Sequence, residues 1–403
     1  MHRRYTAELL WWTTLLGFLL GLQLVLTGCS TVPSPERFAV EDLLADAAFK
    51  APPQVPRPDL VFERSPEMLA YLKQRIEPLA ARIGPQRAMI EALYEHSALQ
   101  IDYDAEYTRT ARETFADRRG NCLSLVIMTA AFARELGIPV HYRSVYVDHY
   151  LSRSNDLLFV SGHVNLSLQL RRFSPVGATG DGADWVIDFL PLPAGAQQRV
   201  HEIGESVIVS MYMNNRAAEA LNAGKLDAAY WYARAAVQAE PRLSQALNTL
   251  AVIYRRHGQI LLAEQVLRHV LAREPDNLAA LGNLAVVFGE THRGVERDQL
   301  TKRLAQLQPV RPFQYLDEGI AAMGRGEPRL AQQLFIKELA RSSFSDEAHF
   351  WLALANHALN DMSAAAEQLV LAKETSATQS KRQVYAAKLQ SLLQASAQGG
   401  RTP

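Results

Sequence analysis

The chain has 403 residues, 42 basic against 42 acidic side chains and 48% apolar content, so its formal net charge is zero. The length suggests more than one domain, and the apolar content suffices for folded cores, which excludes wholesale disorder. A balanced charge lacks the basic excess of a nucleic-acid binder, and two cysteines supply neither a disulfide framework nor a CxxC zinc site.

In chain order, Arg3 and Arg4 precede an uncharged apolar run over residues 9–27. This is the layout of a secretory signal, although the run is also long enough to cross a bilayer as an uncleaved anchor. It ends in Leu26-Thr27-Gly28-Cys29. That tetrapeptide resembles the lipobox of bacterial lipoproteins. The resemblance implies cleavage after residue 28, lipidation of Cys29 and, with Ser30 next, sorting to the outer membrane facing the periplasm. Without residues 1–28 the chain carries a net charge of −1. Residues 29–64 contain Pro33, Pro35, Pro52, Pro53, Pro56 and Pro58. They read as a Pro-rich tether, with a short helix over residues 40–49.

If Cys29 is lipidated, Cys122 is the one remaining thiol. Ser65 suits a helix N-cap and Pro66 the first helical position, and a second periodic stretch covers residues 86–99. Arg119-Gly120-Asn121-Cys122-Leu123-Ser124 then opens a helix with apolar residues at Leu125, Met128, Ala131, Phe132 and Leu136, closed by Gly137-Ile138-Pro139. At a helix start, unpaired backbone N–H groups and the dipole stabilise a thiolate and make the sulfur a nucleophile. A small buried structural cysteine is the plainer alternative.

Residues 140–147 alternate as a strand. Over residues 162–170 the alternation puts Val164, Leu166, Leu168 and Leu170 on one face and His163, Asn165, Ser167 and Gln169 on a polar one. Trp185-Val186-Ile187-Asp188-Phe189 is a short strand interrupted by an acid, which requires a partner if buried. His141, His149 and His201 rival His163 as candidate bases.

Cys122, His163 and Asp188, in that order, resemble the transglutaminase-like family, whose fold is related to papain-like cysteine proteases. The carrying motifs are Gly120-Asn121-Cys122, Gly137-Ile138-Pro139, Gly162-His163-Val164-Asn165 and Trp185-Val186-Ile187-Asp188, within residues 65–208. Asn165 departs from the pattern, since many members have Trp there. The resemblance implies thioester chemistry. Cys122 attacks an amide carbonyl, His163 protonates the leaving amine, Asp188 holds the imidazole, and water or an amine releases the acyl group.

From residue 210 a period of 34 sets in. Ala217, Ala251, Ala285, Gly319 and Ala353 form one series, Ala229, Ala263, Arg297, Ala331 and Ala365 a second, and Gly224, Gly258, His292, Gly326 and Asn360 a third at turns. Pro241, Pro275 and Pro309 close the first three units. The pattern resembles tetratricopeptide repeats, five over residues 210–377, followed by a capping helix and tail over 378–403. Such an array binds a protein or peptide partner. Most of Trp231, Tyr232, Tyr254, Phe288, Phe335 and Trp351 read as packing between repeats.

With no Gly-rich phosphate loop and no zinc-protease spacing, no cofactor or metal is expected. The expected architecture is therefore an α+β transglutaminase-like (papain-like) domain followed by an all-α tetratricopeptide-repeat solenoid. Its expected function is that of a lipid-anchored envelope cysteine hydrolase or acyltransferase. The alternative is a non-catalytic envelope scaffold with an inactive transglutaminase-like domain.

Overall fold

The computed structural model describes residues 40–94, 99, 101–146, 151–154, 157–160, 163–169, 184–189, 199–376 and 378–399. The apolar leader, Cys29 and His149 lie outside the described residues. The chain divides into two units, Met1–Asp42 and Leu43–Pro403. Of the first, only residues 40–42 are described, and they enter a 3-10 turn, Val40–Leu43.

The tether expectation needs correction from Leu43 onward. Leu43, Phe49, Val61 and Phe62 are buried, and the Ala111 N–H donates to the Val61 carbonyl at 3.0 Å. The expected helix over residues 40–49 is instead two 3-10 turns, the second at Asp46–Ala48. Apolar and aromatic side chains in this stretch outweigh the extending effect of its prolines.

Ser65 caps α1 (Pro66–Tyr71), its Oγ accepting the Met68 N–H at 3.3 Å. A π-helical stretch, Leu72–Ile76, leads into α2 (Glu77–Ile83). Gly84 turns the chain at φ 88° into α3 (Pro85–Leu93). A short strand β1 (Asp102–Tyr103) precedes α4 (Ala111–Asp117), which opens on a reciprocal capping box between Thr110 and Glu113. Then come β2 (Arg119–Gly120) and α5 (Cys122–Glu135). Every residue from Leu123 to Ala133 is buried, so α5 is a central helix, apolar all round.

The strands β3 (Val140–Tyr146), β4 (Leu151–Ser154), β5 (Leu157–Val160), β6 (His163–Leu168), β7 (Trp185–Ile187) and β8 (Arg199–Ile203) follow. Four of them form an antiparallel sheet in the order β7-β6-β3-β8, with α5 packed on β6. In this register His163 stands beside Val145 and Asn165 beside Arg143. The polar face expected for β6 is itself buried: His163, Asn165 and Ser167 are no more than 4% exposed.

Helix α6 (Glu205–Asn222) begins directly after β8 and opens the repeats. It pairs with α7 (Leu226–Ala239), α8 (Ser244–Arg256) with α9 (Ile260–Arg273), α10 (Leu278–Glu290) with α11 (Gly294–Leu307), α12 (Gln314–Gly324) with α13 (Pro328–Arg341), and α14 (Asp346–Ala358) with α15 (Met362–Thr375). The five turn residues of the 34-residue register all have positive φ: Gly224, Gly258, His292, Gly326 and Asn360. Glycine and asparagine suit that backbone, and histidine carries a steric cost there. A Cβ on Gly319 would collide with the Phe335 ring, which explains the smallest residue at that point of the series. The third unit is the degenerate one: where the other members of its series are buried alanines, Arg297 is exposed, and no residue of α11 is buried. Helix α16 (Gln379–Gly399) closes the array, its Tyr385 ring stacked on Phe350 at 5.1 Å. It also reaches the first domain, where Arg382 donates to the Tyr103 carbonyl at 2.7 Å.

Candidate functional site

Two close backbone approaches set Cys122 at the mouth of α5. β1 and β2 pair in parallel, Tyr103 beside Gly120, and the Asp104 N–H donates to the Gly120 carbonyl at 3.0 Å. A Cβ on Gly120 would lie 2.7 Å from Ser124 Cβ, so only glycine lets the chain pass there. Asn121 is the N-cap: its Oδ1 accepts the Ser124 N–H and the Ser124 hydroxyl, each at 2.9 Å. The Ser124 hydroxyl in turn accepts the Arg109 N–H at 2.8 Å. Cys122, the first residue of α5, is partly exposed and carries a free thiol.

His163 opens β6, and Asp188 follows the last residue of β7. The sheet brings them together, His163 Nε2 to Asp188 Oδ1 at 2.6 Å. The Asn165 amide donates to Asp188 Oδ2 at 2.9 Å, so both carboxylate oxygens are held from one strand. Phe189, the next residue, packs on the Tyr94 ring at 5.1 Å. The Tyr94 hydroxyl lies 2.5 Å from Thr129 Oγ1 on α5, which ties this end of the sheet to the helix that carries Cys122.

Burial of the His163 ring works against its charge, but its hydrogen bond to Asp188 and the nearness of Cys122 outweigh it and raise the pKa to about 9. His163 Nδ1 is buried and makes no hydrogen bond. With Nε2 engaged by Asp188, Nδ1 is the ring nitrogen left for the thiol, and unliganded sites commonly show that contact loose. A histidine held by a carboxylate and a thiol at a helix start are the groups that thiol nucleophilic catalysis uses.

Of the rival bases, His141 pairs with Glu202 at 2.8 Å on an exposed part of the sheet, and His201 is exposed on β8. Neither shares the environment of Cys122. The hold of Asn165 on Asp188, and Thr108, which fixes the N-cap of α5, escaped sequence reasoning. Asn165 lies on the His163 face by simple alternation, the one signal that points to it. Among the described residues, no group of three His, Cys, Asp or Glu side chains is placed to hold a metal ion, and no helix is long and apolar enough to cross a membrane.

The transglutaminase-like superfamily matches residues 73–186, which contain Cys122 and His163 and end two residues before Asp188. No curated protein matches the chain. Among solved structures, a thermophilic TPR protein in Thermus thermophilus is 20% identical, covering 45% of this chain and 98% of its own, with a TM-score of 0.28. Pseudomonas aeruginosa pilF is 19% identical over 46% of this chain and 84% of its own, with a TM-score of 0.27. A MamA protein is 17% identical over 43% of this chain and 93% of its own, with a TM-score of 0.24. The chain has an α+β transglutaminase-like region followed by a paired-helix, tetratricopeptide-like array, the latter carried by its 34-residue period and its helix pairs.

Proposed function

We propose that this is a cysteine hydrolase or acyltransferase of the bacterial envelope, acting on protein or peptide amides and anchored through lipid on Cys29. Cys122 Sγ attacks the amide carbonyl carbon to give a tetrahedral oxyanion, which the backbone N–H at the start of α5 helps to hold. The C–N bond breaks as the His163 imidazolium gives its proton to the departing amine, leaving a thioester on Cys122. Water or a second amine, deprotonated by the neutral His163, releases the acyl group. Asp188 keeps the ring oriented throughout, and the repeats recruit the target.

The observation that carries the reading is the His163–Asp188 pair at 2.6 Å in a buried strand face, with Cys122 raising the proton affinity of the same ring. The lipid anchor rests on the sequence of residues 26–30 alone. The test is an activated acyl amide or ester incubated with the full chain, followed by mass analysis of the Cys122 peptide. A thioester on wild type, absent from Cys122→Ala and slowed at least about 100-fold in His163→Ala, is expected for a base of this type. An unmodified thiol that alkylates no faster than free cysteine would leave the domain as a binding module only. For the anchor, radiolabelled palmitate enters the wild-type chain and not Cys29→Ala.

A further inference from the structure

The residues that fold back from the N-terminal side occupy a built site on the first two repeats. Phe49 stacks on Tyr230 with ring centroids 4.0 Å apart and planes within 2°, and packs against His257 at 4.3 Å. Asp46 Oδ1 accepts the Tyr230 hydroxyl at 2.6 Å and the Arg234 Nε at 2.8 Å. Leu43 is 1% exposed. Leu43 ends the first 3-10 turn, Asp46 opens the second and Phe49 is its extended C-cap.

The main chain is gripped as well. The Tyr254 hydroxyl donates to the Leu43 carbonyl at 2.7 Å and accepts the Ala45 N–H at 3.0 Å. At the other end, the Trp231 indole donates to the Lys50 carbonyl at 2.9 Å, and Asp227 Oδ1 accepts the Lys50 N–H at 3.0 Å. Side chains reading peptide groups at both ends, with an aromatic anchor between, hold a segment as a ligand is held. The next repeat lacks this chemistry. Phe288, 34 residues after Tyr254, is roofed by Arg293 at 4.1 Å, and Glu264, which replaces Tyr230, binds that arginine at 2.8 Å. The corresponding slot there is closed by the array itself. The segment's exit through Pro52, Pro53, Pro56 and Pro58 makes no regular strand or helix beyond one 3-10 turn, Pro58–Leu60.

We propose that the face formed by α7 and α8 is a peptide-recognition site, closed in cis by residues 43–50. The ligand it takes in trans is a peptide of the same pattern: an apolar residue, an acid three positions on, and an aromatic three beyond that. This rests on the repeats being the recruiting part of the molecule and is independent of the thiol chemistry.

The test uses the full chain and a fluorescein-labelled peptide of residues 43–50, read by anisotropy. An Asp46→Ala/Phe49→Ala double variant, opened in cis, binds the peptide. Wild type does not at about 10 μM, because its own segment competes at an effective concentration in the millimolar range. Adding Arg234→Ala to the opened variant weakens binding by about tenfold or more, as does replacing the peptide's phenylalanine by alanine. Equal binding to wild type and the double variant overturns the proposal, as does no binding to a double variant that melts cooperatively. If the double variant does not fold, Asp46→Asn alone is titrated at higher peptide concentration, and absence of competition there overturns it too. Alkylation of Cys122, followed in the same samples, stays unchanged; its loss would show that residues 43–50 are a structural part of the first domain and would overturn the proposal.

Discussion

The Asn121 amide donates to Thr108 Oγ1 at 2.9 Å, and the same oxygen accepts the Asn215 amide of α6 at 3.2 Å. With its NH2 group so engaged, Asn121 turns its Oδ1 towards α5 and caps the helix that presents Cys122. The first helix of the repeats therefore takes part in holding the N-cap of the helix that carries the candidate nucleophile Cys122.

Replacing Thr108 by Val keeps the shape and removes that oxygen. The buried Asn121 amide then lacks a partner, at a cost of about 1–3 kcal/mol. Thr108→Val should lower the denaturant midpoint accordingly and slow alkylation of Cys122, whereas Thr108→Ser should restore both. Alkylation at the wild-type rate in the Val variant would separate the cap from the thiol.

The His163–Asp188 pair makes stability depend on pH. The folded value is raised from 6.5 to about 9, so the stabilisation is complete below about 6.5 and is lost as pH rises through about 9. A rise of that size corresponds to about 3 kcal/mol, of which Asp188 supplies a part and Cys122 the rest. Wild type should therefore exceed Asp188→Asn in stability at pH 6, with the gap closing towards pH 10. The His163 ring resonances should titrate near 9 in wild type and markedly lower in the variant. A gap that stays level across this range would show that the carboxylate does not hold the proton on the ring.

Gly120 is fixed by space. A methyl group there would sit 2.7 Å from Ser124 Cβ and 3.2 Å from Thr114 Cγ2. Ser124 and Thr114 are fully buried and leave no room to yield. Gly120→Ala should cost about 1–3 kcal/mol, in the range of overpacked cores. It should also loosen the β1–β2 pairing, visible as faster amide exchange at Asp104, whose N–H donates to the Gly120 carbonyl. Unchanged exchange at Asp104 would place the strain elsewhere.

Much of this architecture was legible because its signals are local. The cap Asn121, the glycine before it and the apolar run after Cys122 lie within a few residues, and strand alternation alone put His163 and Asn165 on one face. The five turn positions were legible from period, and the backbone explains them through positive φ. What escaped was long-range: Thr108 meets Asn215 across 107 residues of sequence. Asp46 meets Tyr230 across 184, so Leu43, Asp46 and Phe49 read as part of a proline-rich tether. The aromatics Tyr254 and Trp231 carried no mark to distinguish a peptide-holding ring from one that fills a repeat interface. The short strands β1 and β2 were hidden for the same reason, since two residues cannot show a period.

The boundary expected at residues 208–210 falls inside one continuous helix. Ser210 is fully buried on α6, and its hydroxyl donates to the Ala236 carbonyl at 2.7 Å. Further along α6, Glu219 accepts the Thr108 N–H at 2.7 Å, while Arg216 donates to the Thr108 carbonyl at 3.4 Å. A chain ending at residue 209 loses every one of these partners together with Asn215. At about 1–3 kcal/mol for each buried group left unpaired, the Thr108 N–H and carbonyl together cost about 2–6 kcal/mol, a large part of the stability of about 5–15 kcal/mol expected for a domain. Such a chain should be cut rapidly by protease and lose its near-ultraviolet circular dichroism, while one ending at residue 239 keeps both helices of the first repeat and resists. A protease-resistant product ending near residue 209 would show that the first domain needs no repeat helix to fold.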